Sequence, residues 1–313
     1  MPNSKQPKSV KQIITPTFVW THLTNNSAKE MEFLRNKFSF HPLDLEDCLS
    51  PIQRPKLDEY DNYLFMIMSF PYYDRKTREI LGSEVDFFIG PNYLVTVSDG
   101  RLPTLMNFFE QCQMNDTYRA KYLTGGPAYL LSSILNVLEG YLHPILNHIN
   151  LDIENVQKVI FSGYEKKMVK EILIIKRNII SFRKIMQAHK NVIHKLIAKK
   201  EKFFIPKSAN LYLANNLEQT KDIWDNLESL KENIDALHTT NESLISFRLN
   251  DIMKILTMIS VVLLPVNLIA TIFGMNTPVM PLVNHPNGFY LILGLMGLLL
   301  TGFVIFFKKK DWL

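Results

Sequence analysis

Two long apolar segments without a charged residue dominate the hydrophobic pattern of the chain, Ile255 to Phe273 and Phe289 to Phe307. Each segment has 19 residues. Because a helix rises ~1.5 Å per residue, each covers roughly 28 Å, close to the ~30 Å hydrocarbon core of a bilayer. The pattern predicts two transmembrane helices joined by a short extracytoplasmic loop over residues 274–288.

One face of the first predicted span is polar. Its residues follow one another in steps of three and four and so share one stripe of a helix; they are Asn250, Met253, Thr257, Ser260, Leu264, Asn267 and Thr271. Polar groups are costly in lipid, so the stripe is predicted to face protein or water. Because each subunit would supply one polar stripe, the pattern favours several copies of this helix around a shared axis, where they line a pore. Hydrogen bonds between helices are the alternative explanation of Asn267 and Thr271.

The part of the chain before the spans is predicted to hold three kinds of structure. Residues 1–126 predict a mixed α/β domain, with strands at 13–20 and 63–70, a hairpin at 85–89 and 93–97, and helices at 28–38 and 102–114. Residues 127–207 predict a long helical hairpin that breaks at Ser162-Gly163 and ends at Pro206. Residues 208–273 predict one stalk helix that runs on into the first span.

Apolar residues of the predicted stalk helix recur in steps of seven and three, a heptad-like pattern; they are Leu217, Trp224, Leu227, Ile234, Leu237 and Leu244. Such a seam is typical of helices that pack against each other in parallel. The pattern predicts that the stalk packs subunit against subunit in a homo-oligomer.

Charge and cysteine usage narrow the choice of compartment and partner. The net charge of +5 is mild and requires no nucleic-acid partner, and two cysteines suit a reducing cytosol. The polar N-terminus has no apolar stretch typical of a signal peptide. Lysines 308–310 follow the second span, whereas the loop 274–288 has no Lys or Arg. The positive-inside rule therefore predicts a plasma (inner) membrane protein with both termini in the cytoplasm.

The second half of the predicted hairpin is basic, with 13 Lys or Arg against 3 Glu between Lys158 and Lys202. This pattern is typical of a solvated helix face. It also suits a surface that meets an acidic partner or anionic lipid.

Several motifs together resemble the CorA-type magnesium channel family. At the C-terminal end these are Gly274-Met275-Asn276 after the first span, then Met280-Pro281, a second span and Lys308-Lys309-Lys310-Asp311-Trp312-Leu313. Near the N-terminus the resemblance includes His41-Pro42-Leu43, Glu46-Asp47, Gln53-Arg54-Pro55-Lys56 and the segment from Asp58 to Phe65. The resemblance extends over nearly the whole chain. It implies a funnel-shaped homopentamer with an α+β cytoplasmic domain, a helical hairpin, a stalk helix and two C-terminal transmembrane helices, residues 308–313 forming a basic cytoplasmic tail.

The resemblance also implies the transported ion and the selectivity filter. Mg²⁺ gives up its first hydration shell reluctantly, so amide and carbonyl oxygens could bind the hydrated ion at a ring of Asn276 carboxamides. Gly274 and Met275 would form the same filter. The polar stripe would line the pore, with Leu264, Met253 and Leu256 as apolar constrictions. No catalytic cofactor is expected.

A regulatory Mg²⁺ site between subunits is implied as well. Glu46 and Asp47 match one side of it, and the partner positions align with Asn136, Asn215 and Glu218. Two of these are amides where the family often has acids, which predicts weaker feedback inhibition by cytosolic Mg²⁺. The chain also departs from the family in having no Asp or Glu between Thr277 and Gly288, and in its basic hairpin, where many relatives are acidic.

Three other functions compete with a Mg²⁺ or Co²⁺/Ni²⁺ channel. A related branch with the same tripeptide moves Zn²⁺ with protons, for which a titratable or soft-ligand pore is expected. A membrane-anchored scaffold that conducts nothing would leave the polar stripe unexplained. An enzyme has little support, because neither a zinc-protease motif nor a phosphate-binding loop is present.

Overall fold

The computed structural model describes residues 7, 9–50, 53–199, 207–277, 281–282, 285–310 and 312. Five residues named in the sequence predictions, Lys202, Pro206, Met280, Asp311 and Leu313, lie outside this range. The chain forms two units, residues 1–238 and 239–313. The predicted fold class, an α+β domain with a long helix and two apolar C-terminal helices, is confirmed.

A six-stranded sheet forms the centre of the first unit, in the order β1-β2-β6-β5-β4-β3. All neighbours are antiparallel except β2 and β6. The strands are β1 Val10–Ile14, β2 Val19–Leu23, β3 Lys56–Glu59, β4 Leu64–Asp74, β5 Glu79–Ile89 and β6 Tyr93–Ser98.

Helices account for most of the remaining described chain. In the first unit these are α1 Ala28–Phe38, α2 Pro42–Asp47, α3 Pro103–Met114, α4 Asp116–Leu123, α5 Pro127–Gly140, α6 Leu142–Phe161, α7 Glu165–Met186 and α8 His189–Ala198. The long helix α9, Lys207–Phe273, belongs to both units, and α10, Gly288–Lys309, belongs to the second.

Both faces of the sheet are covered, which explains the continuous apolar run in β4. Leu64 and Met66 lie in one core cluster with residues of α3 and α5, whereas Phe65 and Ile67 lie in the other with residues of α1 and α2. Successive side chains of a strand point to opposite faces, so a strand covered on both sides must be apolar at every position.

Two sequence predictions of secondary structure need correction. The run 13–20 is not one strand, because Pro16 lies in a turn between β1 and β2, where the Thr15 hydroxyl bonds to the Phe18 carbonyl at 2.7 Å. The predicted helical hairpin is four helices, interrupted near Tyr141 and at Gln187-Ala188 as well as near the predicted break at Ser162-Gly163.

The seam predicted to join subunits packs largely inside one chain. Leu227, Ile234 and Leu237 are buried within the first unit. They continue a buried stripe of α9 that includes Leu213, Asn216, Thr220, Ile223 and Leu230. Polar contacts confirm the packing, since Thr220 bonds to Glu139 of α5 at 2.6 Å and Glu228 pairs with Arg183 of α7 at 2.5 Å. The prediction that Leu227, Ile234 and Leu237 contact a neighbouring subunit is therefore wrong, whereas for the half-buried Leu217, Trp224 and Leu244 it stays a prediction.

Candidate functional site

The second unit holds two helices that are long and apolar enough to cross a membrane. Eighteen-residue windows of α9 and α10 reach mean hydropathies of 2.3 and 2.4, and 6% and 0% of those windows are buried. A core helix of a soluble protein would be mostly buried, so these surfaces require another apolar environment or further protein.

The polar stripe of α9 lies on the side turned away from α10. Met258 and Phe307 are buried, and Lys254 Nζ lies 5.9 Å from the centroid of Trp312, whose ring stacks on Phe307. Every predicted pore-lining residue, including Leu256, is exposed. At 3.6 residues per turn, the centre of the stripe lies roughly 150° around α9 from the centre of its least exposed face, which is formed by Lys254, Met258, Val262, Pro265, Val266, Ile269 and Phe273. The stripe is therefore open to other subunits or to water.

Hydroxyl groups of the stripe form their hydrogen bonds within α9. Thr257 donates to the Met253 carbonyl at 2.7 Å, Ser260 to Leu256 at 2.9 Å and Thr271 to Asn267 at 2.7 Å. Within the described part of the chain, no stripe side chain bonds to α10. Interhelical hydrogen bonding inside one subunit therefore does not account for the polarity of the stripe.

The Gly274-Met275-Asn276 tripeptide ends α9. The Gly274 amide bonds to the Ala270 carbonyl at 2.9 Å and the Met275 amide to Ile272 at 3.3 Å. A Cβ at Gly274 would lie 3.1 Å from the Ala270 oxygen, so a larger residue would crowd the last turn. Asn276 follows the helix in exposed chain, where the Thr277 amide bonds to the Met275 carbonyl at 3.1 Å, and its carboxamide has no hydrogen-bond partner among the described residues. The carboxamide is thus free to bind a ligand from solution.

A second glycine fixes the start of α10. A Cβ at Gly288 would lie 1.9 Å from the Leu282 carbonyl oxygen, which is impossible without moving the backbone. Gly288 is buried, and Leu282 has a left-handed φ of 72°. The loop after the tripeptide therefore returns close to the first residue of α10.

The predicted regulatory residues occupy two separate surfaces of one chain. Asp47 ends α2, whose Leu45 belongs to the core on one face of the sheet, and Asn136 is in α5, whose Leu135 belongs to the core on the other face. Among the described residues, no three His, Cys, Asp or Glu side chains could hold a metal ion together. The five predicted residues could meet only across two subunits.

One side of this predicted site already contains a cation. Lys56 Nζ lies 2.7 Å from Asp47 and 2.6 Å from Asp58. Partial burial opposes the charged form of Lys56, but the hydrogen bonds to both carboxylates raise its pKa overall. A Mg²⁺ ion at Asp47 would have to compete with this ammonium group, whereas the neighbouring Glu46 is exposed.

The other side consists of exposed neutral groups and one acid. Asn136 accepts a hydrogen bond from Gln219 Nε2 at 2.9 Å, which joins α5 to α9. Asn215 and Glu218, on the same stretch of α9, are exposed. The surface is accessible to a neighbouring subunit, and only Glu218 supplies a charged oxygen ligand.

Behind this surface lies a buried polar group that the sequence analysis missed. Glu139 is completely buried, and burial raises its pKa from 4.5 to about 8, although the Thr220 hydroxyl at 2.6 Å acts in the opposite direction. Asn216 satisfies the most partners when its nitrogen faces Ser132 Oγ at 2.7 Å and Tyr212 O at 3.0 Å. Its oxygen then accepts a hydrogen bond from the backbone amide of Asn136 at 3.1 Å and faces Glu139 Oε2 at 3.4 Å, a contact that suits the protonated form of the carboxyl group.

A weak sequence signal marks this polar cluster. Asn216 and Thr220 occupy positions of the buried α9 stripe, between Leu213 and Ile223 in steps of three and four. Polar residues inside an apolar stripe require a partner, but the sequence does not say that the partner is Glu139.

Comparison with known proteins finds one family of transporters along most of the chain. The family model for the CorA-like Mg²⁺ transporter protein matches residues 16–309. The cobalt/magnesium transport protein CorA of Thermotoga maritima is 28% identical over 303 residues, which are 96% of this chain and 84% of that protein. The CorA of Methanocaldococcus jannaschii with the same description is 23% identical over 94% of this chain and 91% of its own length. The complete structure of the magnesium transporter CorA from that organism superposes with a TM-score of 0.83 at 22% identity, covering 95% of this chain and 92% of that one.

Proposed function

The chain belongs to the CorA family of Mg²⁺ transporters, and on that premise we propose that it forms a channel through which Mg²⁺ enters the cytoplasm. Several copies, five by analogy with the family, would surround one pore lined by the polar stripe of α9. The channel would lie in the plasma (inner) membrane with both termini in the cytoplasm. Proteins of this family are transporters, so no enzymatic reaction is proposed.

The exposed polar stripe of α9 is the observation that carries this proposal. It lies away from α10 and ends at the tripeptide with the unpartnered Asn276 carboxamide. Polar side chains within a span are costly against lipid, so other copies of α9 would cover them around water. Asn267 and Thr271 would form rings below Asn276, and the exposed Leu264, Met253 and Leu256 would form apolar constrictions.

Amide oxygens suit a hydrated Mg²⁺ ion. Mg²⁺ keeps its waters, and a ring of Asn276 carboxamides would accept hydrogen bonds from them without stripping the shell. The stripe carries no ionisable group, so no fixed charge holds the ion permanently, and conduction requires release. A membrane potential would drive inward movement by roughly 4.6 kcal/mol per 100 mV for a divalent ion.

Feedback by cytosolic Mg²⁺ is proposed to act between subunits but weakly. Glu46 and Asp47 of one subunit would face Asn136, Asn215 and Glu218 of the next. Two amides in place of carboxylates lower the affinity for a hard dication, and Lys56 competes for Asp47 at 2.7 Å. Higher cytosolic Mg²⁺ would thus be needed to close this channel.

Flux measurements on purified protein in liposomes test the proposal. Mg²⁺ uptake would be driven by an inside-negative potential, with Asn276→Ala beside wild type and Asn287→Ala, an exposed asparagine in the same loop, as the matched control. We expect uptake to fall at least about tenfold in Asn276→Ala, because the variant loses the ring of hydrogen bonds that the carboxamides would make to the hydrated ion. Uptake should persist in Asn287→Ala. Repeating the assay with Zn²⁺ and a pH gradient tests the zinc alternative.

The outcomes separate the functions clearly. Equal uptake by Asn276→Ala and wild type would remove Asn276 from the selectivity filter, and no uptake by wild type would favour a scaffold. Zn²⁺ uptake that follows the proton gradient would move the protein to the zinc branch. Closure by submillimolar cytosolic-side Mg²⁺ that is indifferent to Asp47→Ala would contradict the weakened regulatory site.

A further inference from the structure

The turn between α6 and α7 carries a combination of side chains that the channel function does not use. We call it the lysine–aromatic tip and define it as Lys158, Phe161, Tyr164, Lys166, Lys167 and Lys170. α6 ends at Phe161 and α7 begins at Glu165, with Gly163 at a left-handed φ of 97° in the turn. The tip is a convex end of the first unit.

Both aromatic rings of the tip project into solvent. Phe161 is 64% exposed and Tyr164 is 53% exposed. Lys167 Nζ lies 4.8 Å from the centroid of the Tyr164 ring, so a cation and an aromatic face are presented together. Exposed aromatic rings next to lysines are typical of segments that bind at a membrane surface, where the rings enter the headgroup region.

The four lysines of the tip are exposed, and none forms a salt bridge with a described residue. The three acids beside them offset only part of this charge. Glu171 is paired with Arg78 of the β4–β5 turn at 2.5 Å, Glu165 is buried, and the exposed Glu154, one turn before Lys158, accepts a hydrogen bond from Asn150 at 2.9 Å. The positive charge of the tip is therefore open to an external anion.

Packing within the first unit determines which end carries the tip. α7 and α9 are antiparallel, because Arg183 pairs with Glu228 and Lys176 with Asp235, at 2.5 and 2.7 Å. From Lys176 the helix α7 runs 11 residues further to Glu165, about 16 Å at 1.5 Å per residue. The tip is thus at the end of the first unit at which α9 leaves that unit.

We propose that the lysine–aromatic tip binds the anionic phospholipid headgroups of the membrane into which the chain inserts. The lysines would neutralise headgroup phosphates while Phe161 and Tyr164 enter the interface. A protein partner fits less well, because a convex turn with two projecting rings offers no groove for another chain. The inference does not depend on which ion the protein conducts.

The experiment uses the full chain in lipid nanodiscs with an environment-sensitive fluorophore on Ser162→Cys. The two native cysteines, Cys48 and Cys112, are buried, which favours selective labelling of the tip. Emission is compared in discs of phosphatidylcholine and in discs with added phosphatidylglycerol, at low and high salt. Lipids with a quencher at the headgroup-proximal carbons report direct contact.

We expect a blue shift and quenching in the phosphatidylglycerol discs at low salt, weakened by high salt. Lys166→Gln with Lys167→Gln should reduce the docking constant by about 25-fold, roughly fivefold per lysine. The matched control is Lys190→Gln with Lys195→Gln, two exposed lysines of α8, which should retain the shift. Phe161→Ser should reduce the quenching while leaving the salt dependence.

Three results would overturn the proposal. The first is identical emission in the two kinds of disc, and the second is a response to phosphatidylglycerol that is as large in the tip variants as in the wild-type chain. The third is a shift of the emission in phosphatidylcholine discs when soluble glycerol phosphate is added. The last would identify a soluble phosphate ligand instead of a membrane surface. Size-exclusion profiles of the variants in detergent establish that each remains folded, so loss of the shift cannot come from misfolding.

Discussion

Replacing Glu139 by Gln should stabilise the first unit increasingly as the pH rises. Glu139 is buried between α5 and α9 with a pKa raised to about 8. The stability that its protonated form contributes is fully present below the unfolded pKa near 4.5 and is lost as the pH rises toward 8, because the unfolded chain releases the proton first. Gln carries the same shape and keeps an NH₂ donor toward the Asn216 oxygen, but it does not ionise.

The magnitude follows from the pKa difference. Between the two pKa values the free energy of unfolding should fall by ~1.4 kcal/mol per pH unit, which is about 2.5 kcal/mol between pH 5 and 7. This slope should disappear in Glu139→Gln. The advantage of the variant over wild type should therefore grow from pH 5 to about 8 and then level off.

Urea unfolding of the full chain in detergent, followed by tryptophan fluorescence from pH 5 to 9, measures this difference. Trp20 is completely buried in the first unit and reports its unfolding. Glu32→Gln, an exposed carboxylate on α1, is the control and should follow the wild-type pH dependence. Parallel curves for Glu139→Gln and wild type would refute the claim that Glu139 is protonated in the folded chain.

Two further perturbations test the backbone of the second unit and a buried imidazole of the first. Gly288→Ala should lower the yield of folded protein and its melting temperature in detergent, because the new Cβ would lie 1.9 Å from the Leu282 oxygen. Gly297→Ala, whose Cβ would have nothing within 4 Å, should be tolerated. Equal yields and melting temperatures of the two variants would contradict the described loop. His189 is buried against the Ser69 carbonyl at 2.7 Å, and burial lowers its pKa to about 4. The stabilising contribution of the neutral imidazole is present above pH ~6.5 and is lost as the pH falls toward 4. His189→Gln should therefore reduce the slope of the unfolding free energy against pH on the acid side by up to ~1.4 kcal/mol per pH unit. An unchanged slope would contradict a neutral buried imidazole.

Local patterns predicted the elements well where one chemical signal dominated. The period of α1 predicts residues 28–38, and the helix is Ala28–Phe38. The hairpin around Gly90-Pro91-Asn92 is present as β5 and β6. The prediction of one strand at 13–20 was wrong because β-branched residues indicate extended chain on both sides of Pro16. Only the turn chemistry at Pro16 separates the two strands.

Longer-range questions were harder because a pattern shows that a face is buried without identifying what buries it. The seam through Leu227 and Ile234 is buried as its period indicates, yet the helices that contact α9 along it include α5 and α7 of the same chain. Glu139 is the opposite case, since an acid on an amphipathic helix predicts exposure. Its partners Asn216 and Thr220 are about 80 residues away along the chain.

The hydroxyl hydrogen bonds within α9 have a consequence for the sign of the charge that the stripe can accept. Thr257, Ser260 and Thr271 each have one proton, and each gives it to a carbonyl of its own helix. A hydroxyl group then has only its oxygen lone pairs to offer outward. An anion passing these three levels would find no donor, while a cation or its water shell would find acceptors. In the proposed pore, the stripe would therefore discriminate between anions and cations at these levels without a single charged side chain.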